Sequence, residues 1–200
     1  VLEHWTAVTI VGINLQGSIP IYITNFTNLE YIDWRDNKLT GGLPNDLSRL
    51  SNLNDLTLHK NPTLKGTLPS DWKGMTKLQK LWMDDCQLSG SIPDELAQQL
   101  SSLKYLSLRN NSLTGSIPSE LGALSIEEFR VSHNLNLTGT IPSELGSWLT
   151  TLVFFEVQET SLGGSIPRDL CSPLSSKVDV EVNADCEKVE CCESNPSFFN

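Results

Sequence analysis

Seven prolines, Pro20, Pro44, Pro69, Pro93, Pro118, Pro142 and Pro167, follow one another at steps of 24, 25, 24, 25, 24 and 25 residues. A glycine stands three places before each: Gly17, Gly41, Gly66, Gly90, Gly115, Gly139 and Gly164. A leucine stands two places before each glycine, from Leu15 to Leu162. A period this strict constrains the fold more than any other feature of the chain. Each unit must make the same turn at the same place, so successive units stack into a quasi-one-dimensional array. Gly permits the tight turn, and Pro ends strand pairing as the chain swings away.

Upstream of each Gly-x-x-Pro unit runs a second pattern. In "LKYLSLRNNSLTGSIP", Leu103, Leu106, Leu108, Asn111 and Leu113 follow L-x-x-L-x-L-x-x-N-x-L. The second unit substitutes Leu29, Ile32, Trp34, Asn37 and Leu39, and the sixth Ile126, Phe129, Val131, Asn134 and Leu137. The third and sixth units carry one inserted residue, at Asn61-Pro62-Thr63-Leu64 and Asn134-Leu135-Asn136-Leu137. Side chains alternate along a strand, so the two Leu of L-x-L point inward and their neighbours outward. Each unit predicts one short strand, paired in parallel with the next about 4.8 Å away. The ladder residues Asn37, Asn61, Asn111 and Asn134 have an amide that both donates and accepts, suited to backbone groups where the chain leaves the strand. Cys86 takes that place in the fourth unit and Thr160 in the seventh. One unit cannot bury its own Leu stripe, so the core is shared between neighbours.

These motifs resemble the plant-specific class of leucine-rich repeats, over roughly residues 5 to 170. That class includes receptor-like kinase and receptor-like protein ectodomains and polygalacturonase-inhibiting proteins. The resemblance implies a right-handed α/β-type solenoid of about eight coils. Its concave side would be a parallel sheet, and its convex side short helices and loops. It also implies that L-x-G-x-[IL]-P forms a second short strand beside that sheet, and that the array recognises ligands and does not catalyse. The first coil, "HWTAVTIVGINLQGSIP", has Val8 and Ile10 as its inward pair, without the paired-Cys cap usual in such domains. Either residues precede it or something covers that end.

The array occupies residues 1–170, and residues 171–200 read as a last strand and a cysteine-rich cap. Val178, Val180 and Val182 alternate with Asp179 and Glu181 as a strand would. Cys171, Cys186, Cys191 and Cys192 cluster in the cap and point to disulfides, hence to a secreted or lumenal compartment. Adjacent cysteines rarely close on each other, so Cys171 pairs with one of Cys191 and Cys192, and Cys186 with the other. Both connectivities stay open. Cys86 is then an unpaired, inert ladder residue. Asn25, Asn110 and Asn136 open glycosylation sequons.

The net charge of −10 argues against nucleic acid and anionic lipid as partners. No apolar run is long enough to insert in a bilayer. The sequence holds no nucleophile, nucleotide or zinc-protease motif, no cofactor fingerprint and no metal-ligand spacing. The carboxylates at Asp33/Asp36 and Asp84-Asp85 lack an EF-hand pattern and read as a solvated face. The outward strand positions are the candidate binding surface. They bring forward Tyr31, Asp33, Arg35, His59, Trp82, Asp84, Tyr105, Arg109, Arg130, Phe154 and Glu156. Exposed Trp, Tyr and Arg dominate binding hot spots. Their mixed charge suits a protein or peptide, or a neutral glycan stacked on aromatics, better than a single-sign polymer. The expected function is a non-catalytic recognition module. The alternatives are a structural subunit of a larger assembly, docking through its first coil, and a secreted inhibitor or a binder of an ordered lattice such as ice. The lattice reading needs a regular Thr or Asn ladder, which these columns lack.

Overall fold

The computed structural model describes residues 4–166, 181–183 and 189–190. Eight strands form one parallel sheet in strict chain order: Ala7–Thr9, Tyr31–Asp33, Asp55–Thr57, Lys80–Trp82, Tyr105–Ser107, Glu128–Arg130, Phe154–Glu156 and Glu181–Asn183. We number the coils 1 to 8 by these strands. Each pairs in the register that the repeat predicts; Leu81, for example, aligns with Leu56 on one side and Leu106 on the other. The strand expected after Pro167 is present at Glu181–Asn183, where Val182 aligns with Phe155. The four clustered cysteines lie outside the described residues, and of the cap after the last strand only Val189–Glu190 is described.

The Gly-x-x-Pro units make the second set of short strands. Lys65–Thr67, Gln87–Gly90, Ser112–Gly115, Asn134–Thr140, Thr160–Ser165 and Val189–Glu190 form a six-stranded lateral sheet, and Gln16–Ser18 pairs with Lys38–Thr40. Gly115 shows why the turn needs glycine. Its φ is 74°, and a Cβ there would sit 3.2 Å from the Ser91 Cβ of the coil before. Ser18, Thr67, Ser91, Ser116 and Thr140, each following such a glycine, thus pack where the next coil has no side chain.

Among the described residues the convex side carries short 3-10 helices and one α-helix, Asp94–Gln99. Pro93 leads into that helix with extended dihedrals, and Asp94 and Glu95 place negative charge on its first turn. The Leu stripe, the convex Leu residues, Trp72 and Trp148 form one continuous core. Trp148 is fully buried, and its indole N–H donates to the Leu121 carbonyl at 3.1 Å.

The Asn ladder works as the amide chemistry predicts. Asn111 Oδ1 accepts from Leu88 N at 2.9 Å, while its Nδ2 donates to the carbonyls of Met83 and Leu108. Asn61 and Asn134 do the same with Leu39 N and Leu113 N. Each ladder amide therefore sews its own coil to the one before. The residue preceding each ladder position from coil 2 to coil 7 has a positive φ of 51–59° (Asp36, Lys60, Asp85, Asn110, His133 and Glu159). That left-handed kink turns the chain out of the concave sheet.

Candidate functional site

The concave sheet brings the predicted outward residues onto one face, but not as a row of free side chains. Four members of the middle column are buried, Asp33 (2 % exposed), Thr57, Ser107 and Glu156 (6 %), with Ser132 buried beside it, whereas Thr9, Trp82 and Arg130 of the same column are not. Asp33 and Glu156, among the candidate binding residues, also carry a structural duty on this face. Longer neighbours fold over them and use them as hydrogen-bond acceptors.

In coils 2 to 4, Tyr31 Oη donates to Asp33 Oδ2 at 3.4 Å, and Arg35 pairs with the same carboxylate at 3.5 Å. Lys80 Nζ lies 3.6 Å from Asp55 and 3.7 Å from the centre of the Trp82 ring. His59 meets the edge of Trp82 at 6.0 Å between centroids. Burial, with help from the Arg35 charge, lowers the His59 pKa. Neither His59 Nδ1 nor Trp82 Nε1 has a hydrogen-bond partner among the described residues.

In coils 4 to 7, Asp84 Oδ1 accepts from Ser107 Oγ at 2.6 Å and from Arg109 N at 2.9 Å. Desolvation raises the Asp84 pKa against those two bonds. The Arg109 side chain reaches across coil 6 to Glu156, at 3.3 Å. Glu156 Oε1 also accepts from Ser132 Oγ and Gln158 Nε2. Arg130 pairs with Glu128 at 3.3 Å and stacks over Phe154 at 4.1 Å. Near the strand starts, Tyr105 Oη donates to Glu127 Oε2 at 2.5 Å, and Lys104 pairs with Glu127 at 2.8 Å. Those two bonds lower the Glu127 pKa, and the tyrosine's bond to the carboxylate raises its own.

Sequence reasoning passed over Glu127 and Lys104, and read Asp36 and Asp85 only as part of a solvated face. Glu127 and Lys104 sit one place before the outward run, so phase alone did not single them out. The kink residues Asp36 and Asp85 project at the rim of the face. Their signal was present in the sequence as an unbroken line of polar residues, or Gly12 in coil 1, just before the ladder position.

Three other surfaces complete the picture. Large exposed apolar side chains gather in coil 1, at Trp5, Ile13, Ile21 and Tyr22, with Leu135 and Val153 apart from them. A shallow groove of about 810 Å³ runs along the lateral side past Ser116, Thr140, Glu120 and Glu144. The sequon residues Asn25, Asn110 and Asn136 are all exposed, and Asn110 Nδ2 donates to Asp85 Oδ1 at 2.7 Å. No group of His, Cys, Asp and Glu among the described residues is arranged to hold a metal ion. No helix among them is long and apolar enough to cross a membrane.

The model of the Leucine Rich Repeat family matches residues 28–50, 77–99 and 102–124. No curated protein sequence matches the chain. Among solved structures, a TDR receptor superposes with a TM-score of 0.77 and 35 % identity, over 83 % of this chain and 28 % of that one. The leucine-rich repeat ectodomain of the Arabidopsis receptor kinase HAESA, in complex with an IDA peptide hormone, gives 0.74 and 28 %, over 85 % of this chain and 27 % of that one. A plant ice-binding protein gives 0.72 and 22 %, over 95 % of this chain and 66 % of that one, a likeness of fold alone. The chain spans a little over a quarter of the two receptor chains. The repeat period, the Asn ladder, the paired sheets and these matches agree: the chain has the leucine-rich repeat fold and is similar in structure to plant receptor kinase ectodomains.

Proposed function

We propose that the chain is a non-catalytic recognition module that takes a protein or peptide on its concave face, outside the cell. One observation carries this reading. Partly exposed Tyr31, Trp82, Tyr105 and Phe154 and half-exposed Arg35 and Arg109 stand on a floor of buried, mutually bonded polar groups. Such a floor fixes the side chains above it before a partner arrives, which lowers the ordering cost of binding. The likeness to a peptide-bound ectodomain supports the same reading. The test is selection of binders from a displayed random-peptide library on the immobilised chain, followed by Trp82→Ala and Tyr105→Ala. Loss of an aromatic hot spot weakens binding by about 2 kcal/mol, some thirtyfold. Binding that survives both changes places the site elsewhere.

A second reading rests on the lateral sheet. The concave columns are too irregular for a lattice, but Ser91, Ser116, Thr140 and Ser165 repeat as an exposed hydroxyl column, with Thr114 and Thr138 beside it. Strand pairing spaces such hydroxyls about 4.8 Å apart. Ice-recrystallisation inhibition by the intact chain, abolished by Thr140→Lys and untouched by Trp82→Ala, would establish this reading. An inactive chain removes it.

A further inference from the structure

The concave face neutralises its own cations. Arg35, Lys80, Arg109 and Arg130 each lie within 3.3–3.6 Å of an acidic partner on the same face. Three carboxylates at its middle and rim, Asp36, Asp84 and Asp85, join no ion pair among the described residues, against a single cation, Lys60, in the same position. The imbalance is placed by the backbone. Asp36 and Asp85 hold φ of 59° and 53°, the kink that throws their side chains to the rim of coils 2 and 4. Asp84 stands beside Asp85, with Oδ1 bound to coil 5.

Trp82 belongs to the same patch. Its ring already holds a cation, Lys80 Nζ, at 3.7 Å, and its indole N–H has no partner among the described residues. The neutral form of His59 adds no opposing charge at neutral pH. An aromatic ring flanked by unneutralised carboxylates attracts a cation on an aliphatic stem.

We propose that the occupant of this face is an extended basic peptide segment, whose Lys or Arg side chains cross Trp82 to reach Asp84 and Asp85 in coil 4 and Asp36 in coil 2. The proposal rests on the concave-face reading and names its partner. It commits to a polypeptide, because the carboxylates are spread over coils 2 to 4 of a pleated surface, which an extended chain can follow. A small cation would not span coils 2 to 4.

The test uses the intact chain and the peptides selected from the random library. Selected peptides are expected to be enriched in Lys and Arg. Their affinity should fall at about 1 M salt, where the Debye length is about 3 Å. The double change Asp36→Asn and Asp85→Asn removes two charges while keeping side chains that tolerate a left-handed backbone, so the fold is retained. It should weaken binding about fivefold, the loss of two exposed ion pairs of ordinary strength. Asp46→Asn with Glu95→Gln makes the same change in net charge on the convex side. It should leave affinity within about twofold, since exposed charges more than a Debye length away are screened. Equal losses from both pairs would mean bulk attraction to an acidic protein and overturn the proposal. Peptides that need Trp82 and Tyr105 but are neutral or acidic would overturn it too, while leaving the concave-face reading intact. Basic peptides indifferent to Trp82→Ala and to the rim changes would overturn both.

Discussion

The junction between coils 3 and 4 and the junction between coils 4 and 5 share the same strand pairing, yet they are fastened differently. Between coils 4 and 5, the Leu88 N–H needs an acceptor from outside its own turn, and Asn111 Oδ1 supplies it. Between coils 3 and 4, the extra residue in Asn61-Pro62-Thr63-Leu64 bends the chain so that Leu64 N donates to the Asn61 carbonyl at 2.9 Å. The next ladder residue then has no N–H to serve, and Cys86 suffices. Its thiol contacts the carbonyls of Asp84 and Leu58 at 3.4 and 3.7 Å. The other inserted coil, coil 6, is also followed by a ladder residue other than asparagine. Thr160 Oγ1 donates to the Val157 carbonyl at 2.8 Å and accepts from Leu162 N at 3.3 Å. The insertion in coil 3 thus relaxes the demand on the ladder residue of coil 4.

The largest expected effect breaks the stricter junction. Asn111→Ala leaves Leu88 N and the Met83 carbonyl without their side-chain partner, while the Leu108 carbonyl keeps Asn134 Nδ2 at 3.0 Å, and should cost about 3 kcal/mol in chemical denaturation, since each unsatisfied buried group costs about 1–3. Deleting Pro62 converts the looser junction to the stricter kind, with nothing to accept from Leu64 N. It should cost about 2 kcal/mol. Cys86→Asn in that background should recover at least half of this, whereas in the parent chain it should destabilise. A double-mutant cycle without such coupling would remove the explanation of Cys86. Cys86→Ala alone should cost only about 1 kcal/mol, the loss of one small buried group. Burial holds the thiol near a pKa of about 12, so thiol reagents at neutral pH should label it only on unfolding.

Much of this was legible in the sequence because stacking imposes one period on every coil. Strand register, inward Leu residues, lateral strands and Asn ladder all follow from phase. The link between insertion and ladder residue was visible as two coincidences, Cys86 after Pro62 and Thr160 after Leu135. It acquired a meaning only when Leu64 N was seen to bond inside its own turn. The binding face was half legible. Phase says that Asp33 and Glu156 leave the sheet on the solvent side. It does not say that Arg35 and Arg109, long enough to fold back, will cover them. That outcome depends on reach between coils, such as Arg109 spanning coil 6 to Glu156, and no single repeat encodes it.

The two junctions also differ on the concave side, and pH should separate them. At coils 3 and 4 the facing pair is His59 and Trp82; at coils 4 and 5 it is Asp84 and Ser107. Burial lowers the His59 pKa from its ordinary 6.5, so the unfolded chain binds the proton more readily. That junction should therefore lose stability as pH falls through about 6.5 toward the lowered value. Burial raises the Asp84 pKa from its ordinary 3.8, so here the folded chain holds the proton more readily. This junction should lose stability as pH rises from about 3.8 through the raised value. His59→Gln should flatten the slope of stability against pH just below neutrality, and Asp84→Asn the opposing slope in the acid range. Asparagine keeps an acceptor for Ser107 Oγ and Arg109 N, so Asp84→Asn should leave the neutral-pH fold at least as stable as the parent. A clear loss at neutral pH would mean that the charge on Asp84 fastens coil 5, and the two junctions would then differ less than their chemistry implies.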